Sequence, residues 1–151
     1  MSVYLLLKYV HVLLAIVAVG FNISYIVWLN RAQREPEHAR SILRGIKILD
    51  DRFANPAYAL LLVFGLAMTF TAGIPLTTFW IGAALVLYAL LIVGGLAFFT
   101  PTLKRQIVAV EAGSTTSPEY VRLNQRSTIV GGLLIVDVLV IVFLMVVKPT
   151  L

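Results

Sequence analysis

Three polar side chains stand in otherwise oily surroundings. Asp137 interrupts LLIVDVLVIVFLMVV at residues 133–147, and His11 and Asn22 fall within LLKYVHVLLAIVAVGFN at residues 6–22. Inside hydrocarbon, a carboxyl can exchange a proton, an imidazole can ligate haem or a metal, and an amide can hydrogen-bond between helices. Each of these chemistries presupposes that lipid is the surrounding medium.

Composition points that way. The 151 residues are 60% hydrophobic and only 13% charged, whereas a soluble domain is roughly half apolar and about a quarter charged. Four apolar runs, at about 4–29, 53–72, 77–99 and 128–147, reach the roughly 20 residues that span a bilayer as a helix. The expected fold is therefore all-α, a four-transmembrane-helix antiparallel bundle forming a single integral membrane domain over residues 1–151. The first run is too long for a cleaved signal and lacks a small-residue cleavage pattern, so it reads as a retained helix. With no cysteine, disulfides, thiolate metal sites and redox pairs are excluded.

Orientation follows from the distribution of basic residues. Arg31, Arg34, Arg40, Arg44, Lys47 and Arg52 follow the first run, and Lys104, Arg105, Arg122 and Arg126 follow the third, while AGIPL between the second and third has none. Both long connections should face the cytoplasm of a bacterial inner membrane, with both termini outside. The net charge of +5 is then explained by anionic headgroups, and no nucleic-acid partner is needed. Tyr4, Tyr9, Phe79 and Trp80 are expected at one interface, and Tyr25, Trp28, Phe98 and Phe99 at the other. Ile42, Leu43, Ile46 and Leu49 recur at helical spacing among charges. They suggest an amphipathic helix, either lying at the headgroups or simply continuing between spans.

In the first run Tyr4, Lys8, His11, Ala15, Ala18, Asn22, Tyr25 and Leu29 follow steps of four and three, hence one stripe of a helix that should face inward. Asp137 falls near mid-membrane, where a carboxylate costs about 2.5–3.5 kcal/mol on insertion scales. Arg126 and Lys148, eleven residues away on either side, are about 16 Å distant and cannot pair with it. Asp137 is therefore expected to hydrogen-bond to His11 or Asn22, or to be protonated, since burial disfavours the charged form. Asn22, Asp137 and Tyr25 together form the candidate ligand or proton site. The same contacts could instead fix helix register.

His11 is a candidate haem ligand, with Met68, Met145 or a second copy of His11 as the opposing ligand, because His38 lies in the basic connection; it could equally hydrogen-bond to a neighbour. No HExxH, phosphate-binding glycine loop, GxSxG or paired intramembrane carboxylates appear, so the chain reads as non-enzymatic. Asp50 and Asp51, beside Arg52, look solvated. Asn55-Pro56 reads as a helix cap and first-turn proline, and Gly65 and Thr69 as a close-contact face.

The opening LLKYVHVLLAIVAVGFN, the passage DDRFANPAYALLLVFGLAM and the terminal FLMVVKP together resemble the DUF2269 group of small bacterial integral membrane proteins. That group is distantly similar to the CopD copper-resistance and HemJ-type protoporphyrinogen oxidase membrane proteins. The wider resemblance implies a first-helix histidine that holds haem b, followed by a Trp-x-Gly-Gly-like element. His11 matches that histidine and Gly20 a glycine, while Ala18 stands in place of the tryptophan and Phe21 in place of the second glycine. Three functions follow as expectations. The first is a non-enzymatic bundle that binds a ligand, metal or haem, or assembles as a homo-oligomer or with a membrane-protein partner. The others are a HemJ-like haem b oxidoreductase and a small transporter proton-coupled through Asp137.

Overall fold

A computed structural model describes residues 2–149, which are helical apart from three short connections. Helix α1 covers Val3–Arg34. Helix α2 (Ala39–Leu49) passes through a π-helical turn, Asp50–Ala54, into α3 (Asn55–Thr71). Helix α4 (Phe79–Val93) likewise passes through Gly94–Phe99 into α5 (Thr100–Glu111), and α6 covers Pro118–Val147. Four continuous helices result, Val3–Arg34, Ala39–Thr71, Phe79–Glu111 and Pro118–Val147, each long and apolar enough to cross a membrane.

Local chemistry sets the ends. The Ser2 and Ser117 hydroxyls accept from the backbone N–H groups of Leu5 and Tyr120, capping α1 and α6, as N-cap residues do. Gly73 and Gly113 adopt φ of +63° and +76° and close α3 and α5, conformations that cost a side-chain-bearing residue more. Each π turn runs into an X-Pro step, Asn55-Pro56 or Thr100-Pro101. Proline lacks an N–H and its ring crowds the carbonyl four residues back. The helix widens instead of breaking, and the N–H groups of Asn55 and Thr100 reach the carbonyls of Asp50 and Gly95, five residues back. Asn55 is thus not the cap expected from sequence, because the helix has already been running since Ala39.

The outer surface is apolar: Val12, Ile16, Val63, Val86, Leu90, Leu133 and Val136 are all exposed. Such a surface suits lipid and would drive association in water. At about 1.5 Å per residue, the 32 residues of α1 run to about 48 Å, against about 30 Å of hydrocarbon, so its last turns project. Helix α2 packs on α1, and with α5 and the start of α6 these projecting turns form a basic end, opposite a terminal end where Val3 and Val147 lie.

Helices α1 and α3 share the most extensive contact, with Ala18 fully buried, and α6 packs on α4 and α1. The apolar face of α2 is covered by α1 and α5, with Leu43 and Ile46 buried; it continues into the next span and does not lie flat on headgroups. Tyr25 and Phe99 are also internal, stacked with centroids 6.0 Å apart and planes at 8°. They are core residues and not the interfacial belt expected from sequence, whereas Trp28 and Phe98 are exposed. At the terminal end, Lys148 Nζ lies 5.2 Å from the Trp80 ring centroid.

Candidate intramembrane polar site

The stripe expected on α1 faces inward from His11 to Leu29: Ala18, Tyr25 and Leu29 are buried, His11, Ala15 and Asn22 half-buried. Small residues at Ala15 and Ala18 let α3 approach, and the polar partner it brings is Tyr58. Asn22 Nδ2 donates to the Tyr58 hydroxyl, which itself reaches the Ala18 carbonyl at 3.4 Å. The Tyr88 hydroxyl of α4 donates to the Tyr58 carbonyl. One hydrogen-bonded knot therefore ties α1, α3 and α4 where water cannot substitute. Tyr58 and Tyr88 did not stand out in the sequence, because a tyrosine within an apolar run reads as an aromatic until its hydroxyl finds a partner.

Asp137 comes to the height of this knot. Asn22 and Leu134 line the same small cavity, and one turn from each toward the terminal end come Ala18 and Asp137. Asp137 is within electrostatic reach of Tyr58. Its side chain is half-buried on α6, with Oδ2 enclosed and, among the described residues, without a hydrogen-bond partner. The expected bond from Asp137 to His11 or Asn22 does not form. Asn22 is engaged by Tyr58, and His11 is seven residues, about 10 Å, farther along α1 than Ala18.

His11 instead sits against α3. A Cβ built on Gly65 would lie 3.0 Å from the imidazole Cε1, so the glycine provides the space that the ring occupies. Nδ1 is buried and has no hydrogen bond of full geometry among the described residues, although the ring lies within reach of the Leu61 backbone of α3. Haem b, a candidate from the resemblance, does not fit this arrangement. The imidazole is packed against the α3 backbone at Gly65, with no open space for a porphyrin on that side; the cavity farther along α1, between α1, the Gly94–Phe99 turn and α6, measures about 10 Å³, room for one water molecule. Among the described residues no group of three or more histidine, aspartate or glutamate side chains could hold a metal.

A second polar cluster bridges the first π turn and the start of α5. Asp50 is 7% exposed and accepts from the Thr100 hydroxyl at 3.2 Å. Tyr25 is within electrostatic reach of Asp50, and its hydroxyl is buried without a partner among the described residues. Asp51, the next residue, is exposed and paired with Lys47. The sequence reading of both acids as solvated is therefore corrected for Asp50: the widened turn carries it inward. Beyond it, Gln106 Nε2 donates to Asn124 Oδ1 at 3.1 Å and Ser127 Oγ donates to Gln106 Oε1 at 2.7 Å. All three side chains are buried, and they lock α5 to α6. Arg44 and Arg40 of α2 pair with Glu111 of α5 at the surface of the same end.

Four apolar membrane-length helices joined by buried polar knots define a multi-pass integral membrane protein. The chain belongs to the family described as predicted integral membrane protein (DUF2269), whose model matches residues 5–149. No curated protein and no solved structure matches it.

Proposed function

We propose that this is a non-enzymatic protein of the bacterial cytoplasmic membrane that works by assembling with another membrane-embedded chain, a second copy or a different protein, through the face of α6 that bears Asp137. The observation that carries this reading is the Asp137 carboxyl, with one oxygen enclosed and unpartnered while the side chain stays half-open to the outside of the bundle. At mid-membrane such a group costs about 2.5–3.5 kcal/mol, and a hydrogen-bond donor on a second helix offsets part of that. Val136, Leu139 and Val140 beside it are exposed, apolar surface that the second helix would cover. Tyr58, which Asn22 engages, lies within electrostatic reach of the carboxyl. The cavity of about 10 Å³ beside Asn22 and the packing of His11 on Gly65 give less support to a proton-coupled transporter or a HemJ-like haem b oxidoreductase.

Ten of the twelve lysine and arginine residues, all but Lys8 and Lys148, belong to the basic end. This supports a topology with that end in the cytoplasm and both termini outside.

The absence of native cysteine makes a single Val140→Cys substitution a clean reporter. In native membranes, oxidation or a bifunctional thiol reagent should convert the Val140→Cys protein to a cross-linked species. Adding Asp137→Leu should lower its yield roughly fivefold, the equivalent of one interhelical hydrogen bond in lipid. Asp137→Asn, which still hydrogen-bonds, should retain it. An unchanged yield with Asp137→Leu overturns the reading.

A further inference from the structure

The basic end carries a feature that the intramembrane knots do not use. Between α5 and α6 opens a groove of about 630 Å³, lined by Arg105, Arg122, Arg126 and Glu119 at one end and by Ile129 and Val130 at the other. Arg122 and Arg126 are one turn apart on α6, and Arg105 faces them from α5. Among the described residues none of the three forms an ion pair, although arginines elsewhere at this end pair with Glu35 and Glu111. Even counting Glu119, the groove keeps a net charge of +2. The buried Gln106–Asn124–Ser127 bonds hold the two helices behind it in fixed register, so the arginines are presented by a rigid wall.

Its occupant must be amphiphilic. Ile129 is 64% exposed and begins the apolar run of α6, so the groove passes from cationic to oily within about one helical turn, as the membrane does from headgroup to acyl chain. An acidic soluble partner would match the arginines but not Ile129 and Val130. Arginine forks suit phosphate oxygens, and basic pockets between membrane helices are a recurrent way to hold anionic headgroups. We infer that this groove is a binding site for an anionic phospholipid, with its phosphate on Arg105, Arg122 and Arg126 and an acyl chain along Ile129 and Val130. The site is independent of Asp137 and requires only that the chain be embedded in a bilayer.

The test uses the full chain in neutral detergent, titrated with dioleoyl phosphatidylglycerol, with cardiolipin, with dioleoyl phosphatidylcholine, and separately with inorganic phosphate. Retained lipid is read by native mass spectrometry, and the unfolding midpoint is followed in parallel. The two anionic lipids should bind stoichiometrically and raise the midpoint; phosphatidylcholine and millimolar phosphate should not. Arg122→Ala with Arg126→Ala should weaken anionic-lipid binding roughly tenfold or more. Arg34→Ala with Lys104→Ala, which removes the same charge outside the groove, should change it little. Equal losses in the two double variants would reduce the effect to diffuse surface attraction and overturn the site. Stabilisation by inorganic phosphate alone would assign the arginines to a free anion, and binding of phosphatidylcholine at equal strength would remove the role of charge; either result also overturns it.

Discussion

The Thr100 hydroxyl of α5 donates to the Asp50 carboxylate at 3.2 Å, joining two helices through residues fifty positions apart in the chain. Each residue borders a π-helical turn, so the bond clasps the two widened segments together. A buried carboxylate depends on such donors, and a hydrogen bond to a charged group contributes about 1.5–3 kcal/mol. Thr100→Val should therefore destabilise the protein by about 1–3 kcal/mol in a denaturation titration in mixed micelles. Asp51→Asn, one residue away but exposed and paired only at the surface, should stay within about 0.5 kcal/mol. Equal effects from the two would show that Asp50 is not the buried member of the pair.

The packing of His11 on Gly65 gives a second expectation. Gly65→Ala places a methyl 3.0 Å from the imidazole and should cost about 1–3 kcal/mol as overpacking at the α1–α3 contact. Gly20→Ala, with nothing within 4 Å, should be neutral or gain up to about 1 kcal/mol from helix propensity. His11→Ala introduced into the Gly65→Ala background should restore much of the loss, measured in the same micelle titration. The crowding also predicts that protein purified with haem supplied shows no Soret band. A band would require α1 and α3 to part.

Asn22 and Tyr58 should behave as a coupled pair. In a double-mutant cycle with Asn22→Ala and Tyr58→Phe, the interaction energy should fall near 0.6 kcal/mol and below about 1.7 kcal/mol, the span found for hydrogen bonds between membrane helices. Additive losses would mean that the carboxamide and the hydroxyl do not bond in the folded protein.

The spans were legible because lipid imposes a coarse, length-based rule that four uninterrupted apolar runs satisfy. The inward stripe of α1 was legible for a similar reason: Ala18, Tyr25 and Leu29 keep helical spacing, and they are buried. The partners were not. Asn22 bonds Tyr58, and nothing in one chain's periodicity says which of several tyrosines on other helices will arrive at that height. Asp50 was misread because its neighbours Asp51 and Arg52 are charged and exposed. Facing inward depends on the extra residue in the π turn, which the Pro56 ring favours but the pattern of charges conceals. Tyr25 fits both the inward stripe and an aromatic belt by sequence, and the stripe holds; Phe99 reads as belt because position along a helix says nothing of its azimuth, and the two rings meet inside the bundle.

The two widened turns hold one residue more than an ordinary helix would need. Excising one amino acid from 50–54 would leave the alignment unchanged, whereas tightening that segment into a regular coil with every residue kept would rotate everything on the basic side by about 100° about the rod's axis. Leu43 and Ile46 would swing away from the interior, and Arg44 would lose Glu111. The same tightening in 94–99 would turn Arg105 away from α6. Each kink therefore works as an angular spacer, aligning the cation-bearing storey of the molecule with the oil-soaked storey above it.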